Sequence, residues 1–319
     1  MLLAIVLFIV GLACLIFGGD WFVDGATGLA YRFKIPEIIV GATVVSIGTT
    51  LPEVMVSATS AAQGFGDMAY GNAIGSIVCN TALILALTVA IRPSKVDKKS
   101  LLTPTIFFFV AAIFYMVVSY TTGKFDLWVG IILLCMFIVY MIVTVRQGFK
   151  NPVKEEEEEK KDWPLWKEVL FLILGAALIA VGARLLVDNG TLIAEKLGVP
   201  QTVIALTFVA LGTSLPELVT AVTSLIKGHG ALSLGNIVGA NLFNLVLVGG
   251  VSITINPFSV PTAKTIAGLN ASFLIDLPLM FLVMAIVTIP ALIRGKLSRV
   301  QGILLLALYA AYMVFQFCF

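Results

Sequence analysis

The sequence predicts an all-α integral membrane protein: ten membrane-crossing helices arranged as two inverted-topology repeats of five. Three observations carry that prediction. The first is composition. Of 319 residues, 60% are hydrophobic and 12% charged, and the mean hydropathy is +1.07. A soluble chain of this length needs a polar shell that 20 basic and 18 acidic residues cannot supply. The second is segmentation into apolar runs of about 20 residues, the length that crosses a bilayer as a helix and satisfies its backbone internally. Barrel strands are about half as long and alternate, and no such alternation is present. The third is an internal repeat at a constant offset of 164 residues.

In chain order the spans are placed at 2–25, 37–62, 69–91, 102–121, 126–146, 166–188, 201–226, 232–254, 269–292 and 300–317. The first lacks the basic leader of a signal peptide and has an internal partner later in the chain, so it is kept as structure. With the N-terminus outside, the outer loops hold only Lys124, Lys196 and Lys264. Arg184 lies inside a span, and every other Lys and Arg falls on the inner side. This bias places both termini outside and the loop 147–165 in the cytosol. The resulting organisation is a first repeat at 1–148, an acidic linker at 149–165 and a second repeat at 166–319. Within the linker, Glu155–Glu159 followed by Lys160 and Lys161 reads as a solvated connection rather than a calcium sensor. A net charge of +2 without a basic, aromatic-interleaved stripe argues against nucleic acid. Cys14, Cys79, Cys135 and Cys318 lie in apolar runs without CxxC spacing, which excludes a disulfide framework and a zinc site.

Residues 11–80 align on 175–244 without a gap. Gly11 meets Gly175, Gly18 meets Gly182, Asp24 meets Asp188 and Pro36 meets Pro200. Thr43, Gly48, Thr49, Leu51, Pro52 and Glu53 recur as Thr207, Gly212, Thr213, Leu215, Pro216 and Glu217, and Gly71, Asn72, Gly75 and Asn80 recur as Gly235, Asn236, Gly239 and Asn244. Five spans per copy is an odd number, so the second copy enters the membrane upside down. Inverted repeats are the common plan of secondary transporters, with the substrate held near the midplane between the copies.

Glu53 and Glu217 fall in the middle of spans two and seven, where an uncompensated carboxylate costs several kcal/mol. Thr50, Thr49, Ser46 and Thr43 precede Glu53 at helical spacing and share its face. The second copy offers Ser214, Thr213, Ala210 and Thr207. Pro52 and Pro216 have no amide hydrogen and are expected to break the helical ladder, freeing the carbonyls of Gly48 and Gly212. In spans three and eight, Asn72, Ser76 and Asn80 are mirrored by Asn236, Ala240 and Asn244, beside GxxxG glycines that suit close helix packing. Amide and hydroxyl oxygens with two carboxylates, and no central His or Cys, favour hard cations such as calcium or sodium. His229 is placed in an inner loop as incidental. Asp20, Asp24, Arg184, Asp188 and Asp276 lie towards span ends, mostly the extracellular ones, where solvation or an Asp–Arg pair accounts for them.

The segments GATVVSIGTTLPE at 41–53 with GNAIGSIVCN at 71–80, and ALTFVALGTSLPE at 205–217 with GNIVGANLFN at 235–244, resemble the two α repeats of the calcium/cation antiporter superfamily, nearest its prokaryotic sodium/calcium exchangers. The resemblance implies a multi-pass cell-membrane antiporter, functional as a monomer, with no tightly bound cofactor and with Ca²⁺ and Na⁺ as transported ions. It implies that Glu53 and Glu217 ligate calcium, and that Thr49, Thr50, Thr213, Ser214, Ser46, Ala210, Ser76 and Asn80 line flanking sodium sites. Spans one and six would be the helices that switch access. The chain departs from the family pattern at Asn244, where well-studied members carry aspartate, and at Ala240, where serine is usual. Two carboxylates neutralise one Ca²⁺, two Na⁺ or two H⁺, so a stoichiometry nearer two monovalent ions per calcium is expected. Proton/calcium exchange is the second possibility, although the first GN motif lacks the additional acid of proton-coupled relatives. A cation channel would use the same oxygens, but the inverted repeat argues against it. An enzyme is not expected, because no nucleophile–base pair emerges.

Overall fold

In the computed structural model, residues 2–150, 163–198, 212–262, 265–266 and 268–318 are described. The helices are α1 (Leu2–Phe33), α2 (Glu37–Ala62), α3 (Gly66–Ile91), α4 (Lys98–Thr122), α5 (Leu127–Lys150), α6 (Leu165–Lys196), α7 (Leu215–Ile226), α8 (Gly230–Ile255), α9 (Ser272–Arg294) and α10 (Arg299–Cys318). Among the described residues nine of these are long and apolar enough to span a membrane, and α7 is the described part of the span expected at 201–226. The Glu155–Glu159 run, Pro200, Thr207 and Ala210 lie outside the described residues.

Local chemistry sets several helix ends. Asp97 caps α4 by accepting from the amides of Lys99 and Ser100, both at 3.2 Å. Gly123 (φ +69°) ends α4 and Gly295 (φ +68°) ends α9 in the left-handed conformation that glycine adopts without a Cβ clash. Two-residue strands β1 (Lys124–Phe125) and β2 (Phe258–Ser259) pair antiparallel and tie the α4–α5 connection to the chain after α8. A second short ribbon joins β3 (Thr265–Ile266) to β4 (Leu269–Asn270).

α1 and α6 are each 32 residues long, about 48 Å, and outrun their expected limits of 2–25 and 166–188. The polar residues that seemed to mark the span ends are absorbed by partners. Arg32 reaches Glu168 at 2.7 and 3.0 Å, and Asp24 reaches Lys227 at 2.8 Å. Asp20 and Asp24 both pair with Lys227, which follows α7 on the inner, basic side of the expected topology, the side to which a first span at 2–25 with its N-terminus outside brings them.

The two long helices are in backbone contact. A Cβ on Gly11 would lie 2.9 Å from the Gly182 carbonyl oxygen and one on Gly182 would lie 2.8 Å from that of Gly11; Gly18 and Gly175 meet in the same reciprocal way at 3.0 and 2.8 Å. Gly11 against Gly182 and Gly18 against Gly175 means that the matched helices run in opposite directions, which is the inversion the odd span count required. Leu15, Phe22, Val23, Ala26, Ile179 and Ala183 from this pair form a hydrophobic cluster separate from the main core. The main core runs through α3, α4, α5, α8 and α9, with Ile77, Phe108, Tyr115, Tyr140, Phe243 and Met280 fully buried. Large apolar side chains such as Leu3, Ile9, Phe17, Ile138, Ile173 and Val314 point outward, as a lipid-facing surface requires.

Candidate cation site

The site is organised by the crossing of α2 and α8, one helix from each repeat. Glycines remove the side chains that would hold them apart. A Cβ on Gly41 would lie 2.8 Å from the Asn236 amide nitrogen, one on Gly239 2.6 Å from the Ala42 Cα, and one on Gly235 would collide with the Ile38 carbonyl. These are backbone approaches, so the GxxxG spacing of α8 does the packing work expected of it. A Cβ on Gly71 or Gly75 of α3, by contrast, would meet nothing within 4 Å among the described residues, and that copy of the motif brings no described helices together. From the other side, Tyr140 on α5 donates to the Ala42 carbonyl at 2.8 Å.

Three helices change winding where the motifs lie. α2 is π-helical over Gly41–Val45, α3 over Asn80–Leu85 and α8 over Asn244–Gly249. The last two begin at the same motif position, Asn80 and its match Asn244. A π turn inserts one residue into the helical register, leaves carbonyls without their usual partners and recurs at functional sites. At the first of these turns the Gly41 carbonyl accepts from both the backbone amide and the hydroxyl of Ser46, the latter at 2.8 Å, and the same hydroxyl contacts the Asn236 carbonyl at 2.9 Å.

Among the hydrogen bonds that cross between the repeats, two are equivalent under the 164-residue offset. Thr49 donates to the Asn236 side-chain oxygen at 3.1 Å, and Thr213 donates to that of Asn72 at 3.3 Å. The Asn72 amide in turn reaches the Glu53 carbonyl at 3.2 Å and the Ser57 hydroxyl at 2.8 Å. The motif of each copy is therefore held by the other.

Beside these tied residues lies a set that is buried and untied. Thr50, Glu53, Asn80, Ser214, Glu217 and Asn244 are at most 2% exposed. Among the described residues, the hydroxyls of Thr50 and Ser214, the carboxylate oxygens of Glu53 and Glu217, and the amide groups of Asn80 and Asn244 have no hydrogen-bond partner. The six are three offset-matched pairs. α2 and α7, which carry the two carboxylates, pack against each other. Buried polar atoms are almost always paired, and leaving so many orphaned in one place costs several kcal/mol unless a ligand completes them.

The expected site residues thus divide. Glu53, Glu217, Thr50, Ser214, Asn80 and Asn244 share the orphaned set. Thr49 and Thr213 are committed to asparagines, Ser46 to backbone, and Ser76 is buried on α3; Ala210 is outside the described residues. At Pro52 the helix does not end: Ser46–Ala62 is one continuous helical stretch with Pro52 inside it, and the ladder changes earlier, at Gly41–Val45. Pro216 sits in the first turn of α7, after a turn at Gly212–Ser214. Both prolines, with Gly48 and Thr49, line a small cleft to which Phe22 of α1 and Ala176 of α6 also contribute. His229, expected to be incidental, contacts Glu37 at 2.7 Å and presents its ring to Tyr31.

Asn72 and Asn236 tie the two motifs together, a role that their spacing alone does not reveal. Their recurrence in both copies was the available signal. Thr220 and Ser224, on the Glu217 face of α7, are also buried without a hydrogen-bond partner among the described residues.

A family model described as sodium/calcium exchanger protein matches residues 3–146 and again 167–318, one match per repeat. An uncharacterised membrane protein of Methanocaldococcus jannaschii, MJ0091, is 34% identical, the match covering 97% of this chain and 96% of that one. The sodium/calcium exchanger MaX1 of Methanosarcina acetivorans is 27% identical over 97% of each chain. Among solved structures, the sodium-calcium exchanger NCX_Mj soaked with 10 mM Na⁺ and zero Ca²⁺ superposes with a TM-score of 0.81 at 32% identity, covering 98% of both chains.

Proposed function

The chain belongs to the sodium/calcium exchanger family and is a multi-pass membrane cation antiporter, not an enzyme; from that premise we propose that it exports calcium in exchange for sodium by alternating access, functioning as a monomer with its N- and C-termini outside and the 149–165 linker in the cytosol between repeats 1–148 and 166–319. Glu53 and Glu217 ligate Ca²⁺, assisted by the amide oxygens of Asn80 and Asn244 and the hydroxyls of Thr50 and Ser214. Thr49, Thr213, Ser46, Ser76 and Ala210 contribute to the flanking monovalent sites, or hold them in shape. The observation that supports this reading is the orphaned set: three matched pairs of buried oxygen-bearing side chains, left without protein partners, in the hard-oxygen chemistry that suits Ca²⁺ and Na⁺.

Charge balance sets the stoichiometry. Two carboxylates at the centre are neutralised equally by one Ca²⁺ or by two Na⁺, and burial makes a large residual charge unfavourable in either state. Asn244 and Ala240 add no third negative group. Exchange therefore proceeds with about two sodium ions per calcium and little net charge movement.

The test is ⁴⁵Ca²⁺ uptake into proteoliposomes driven by an outward sodium gradient, with an outward proton gradient as the parallel arm. Sodium-driven uptake that Glu53→Gln and Glu217→Gln each abolish is the expected result. Uptake driven by protons alone would replace sodium by H⁺ as the coupling ion, and an active double variant would overturn the site assignment.

A further inference from the structure

One departure from the 164-residue offset that relates the two repeats ties a long helix to the core. At the end of α7, the Lys227 ammonium contacts the Asp20 carboxylate at 2.5 Å, the Asp24 carboxylate at 2.8 Å and the Asp20 carbonyl at 3.0 Å. Three acceptors match the three hydrogens of the ammonium. The side chains of Lys227 and Asp24 are 22% and 14% exposed and that of Asp20 is 51% exposed, so the Lys227–Asp24 pair is partly shielded from solvent while Asp20 sits at its open edge. Beneath it, α1 lies directly on α7: a Cβ on Gly19 would be 2.7 Å from Val219 and 2.8 Å from the Thr223 hydroxyl.

At the equivalent place in the other repeat, Asp20 is replaced by Arg184, Asp24 by Asp188 and Lys227 by Gln63. Arg184 is turned onto Asp188 of its own helix at 3.6 Å, with side chains 84% and 62% exposed, and Gln63 is exposed. One end of the α1–α6 pair is pinned to the core by a partly buried ion-pair cluster, whereas the other carries a self-contained surface pair.

The pinned end lies on a polar route from the site. Glu217, Thr220 and Ser224 occupy one face of α7, the two hydroxyls being buried and unpartnered among the described residues, and Lys227 follows one turn on. From Glu217 to Lys227 is ten residues, about 15 Å along the helix.

We propose that Lys227, Asp20 and Asp24 form a latch that holds the α1–α6 pair against the core at the basic end of the molecule and biases the transporter towards the state closed on that side. The proposal rests on the alternating-access reading. α1 and α6 pack chiefly on each other and meet the core through a second, smaller cluster that includes Val40, Val45 and Leu232, so they can shift on the core as one body, and movement that opens the route beside α7 must separate Asp20 and Asp24 from Lys227. Because the opposite end has no matching triad to form, breaking the latch is not compensated, and the two access states are unequal in energy.

The test measures the position of α1 without requiring transport. Spin labels at Ile16 on α1 and Ile293 on α9, both outward-facing, are introduced into full-length protein whose native cysteines are replaced, and the interlabel distances are recorded in nanodiscs. The expected result is one dominant distance in the parent, with Lys227→Gln and Asp24→Asn each raising a second population roughly fivefold or more; Asp188→Asn, at the unpinned end, leaves the distribution unchanged. Asp24→Asn covers the case in which Lys227→Gln fails to fold. A distribution identical to the parent in both latch variants overturns the proposal, as does an equal shift in Asp188→Asn. Redistribution by Lys227→Gln in a protein whose Glu53→Gln variant still transports would instead sink the site assignment and leave the latch standing.

Discussion

Gly175→Ala is the smallest change that tests how α1 and α6 are joined. The added methyl would lie 2.7 Å from the Phe22 Cα and 2.8 Å from the Gly18 carbonyl oxygen, and would collide with the Phe22 amide nitrogen. Relaxed carbon contacts are about 3.5–4.0 Å, so the helices must part by roughly 1 Å. All three obstacles are backbone, so no rotamer change relieves them. Overpacking of this kind costs about 1–3 kcal/mol, and the separation also loosens Phe22, Val23 and Ile179, which are at most 1% exposed along the same seam. Thermal unfolding of the purified protein, followed by size-exclusion chromatography after heating, should show a midpoint lowered by about 3–8 °C. Leu12→Ala, on the same helix but 45% exposed towards lipid, should move it by no more than about 1 °C. If Gly175→Ala and Leu12→Ala prove equally stable, the two helices are not in backbone contact and the case for a single mobile body is lost.

Asn244→Asp adds a third carboxylate to the orphaned set, and calcium uptake into proteoliposomes should then become dependent on the clamped membrane potential; an unchanged voltage response would count against the charge-balance argument. The cross-repeat tie is measured by a double-mutant cycle on Thr49→Val and Asn236→Leu, with an expected coupling of about 0.5–1.5 kcal/mol in unfolding free energy. Thr213→Val, whose bond to Asn72 is longer at 3.3 Å and part-buried, should cost less than Thr49→Val; equal costs would indicate that the two ties are not graded by burial.

Much of the architecture was legible because membrane proteins write it in composition. Runs such as Leu2–Phe17 and Val169–Val181 have no soluble solution, and the offset of 164 exposes a duplication that five spans per copy turn into an inversion. Helix ends were less legible. Asp24, Asp188 and Arg32 look like boundaries in a hydropathy profile, yet α1 and α6 run past them because a charge with a partner no longer ends a span. The π turns at Asn80 and Asn244 left no trace in the pattern, since their residues are as apolar and as helix-compatible as their neighbours. Pro52 misled in the opposite sense: a missing amide hydrogen predicts a break, but the packed surroundings of α2 keep the helix continuous through it.

For the site, the sequence by itself determined which chemistry is present: two glutamates, four motif asparagines and a row of hydroxyls, duplicated at one spacing. Those are properties of residue order and need no coordinates. Only the tertiary structure decided which of those oxygens are available. Thr49 and Thr50 are adjacent in the chain and chemically alike, yet Thr49 is consumed by Asn236, 187 positions away, while Thr50 is left without a partner among the described residues. Whether a hydroxyl is free to meet an ion depends on what the opposing helix places within hydrogen-bond reach, and that is set by glycine-mediated contact between α2 and α8, which brings distant parts of the chain together.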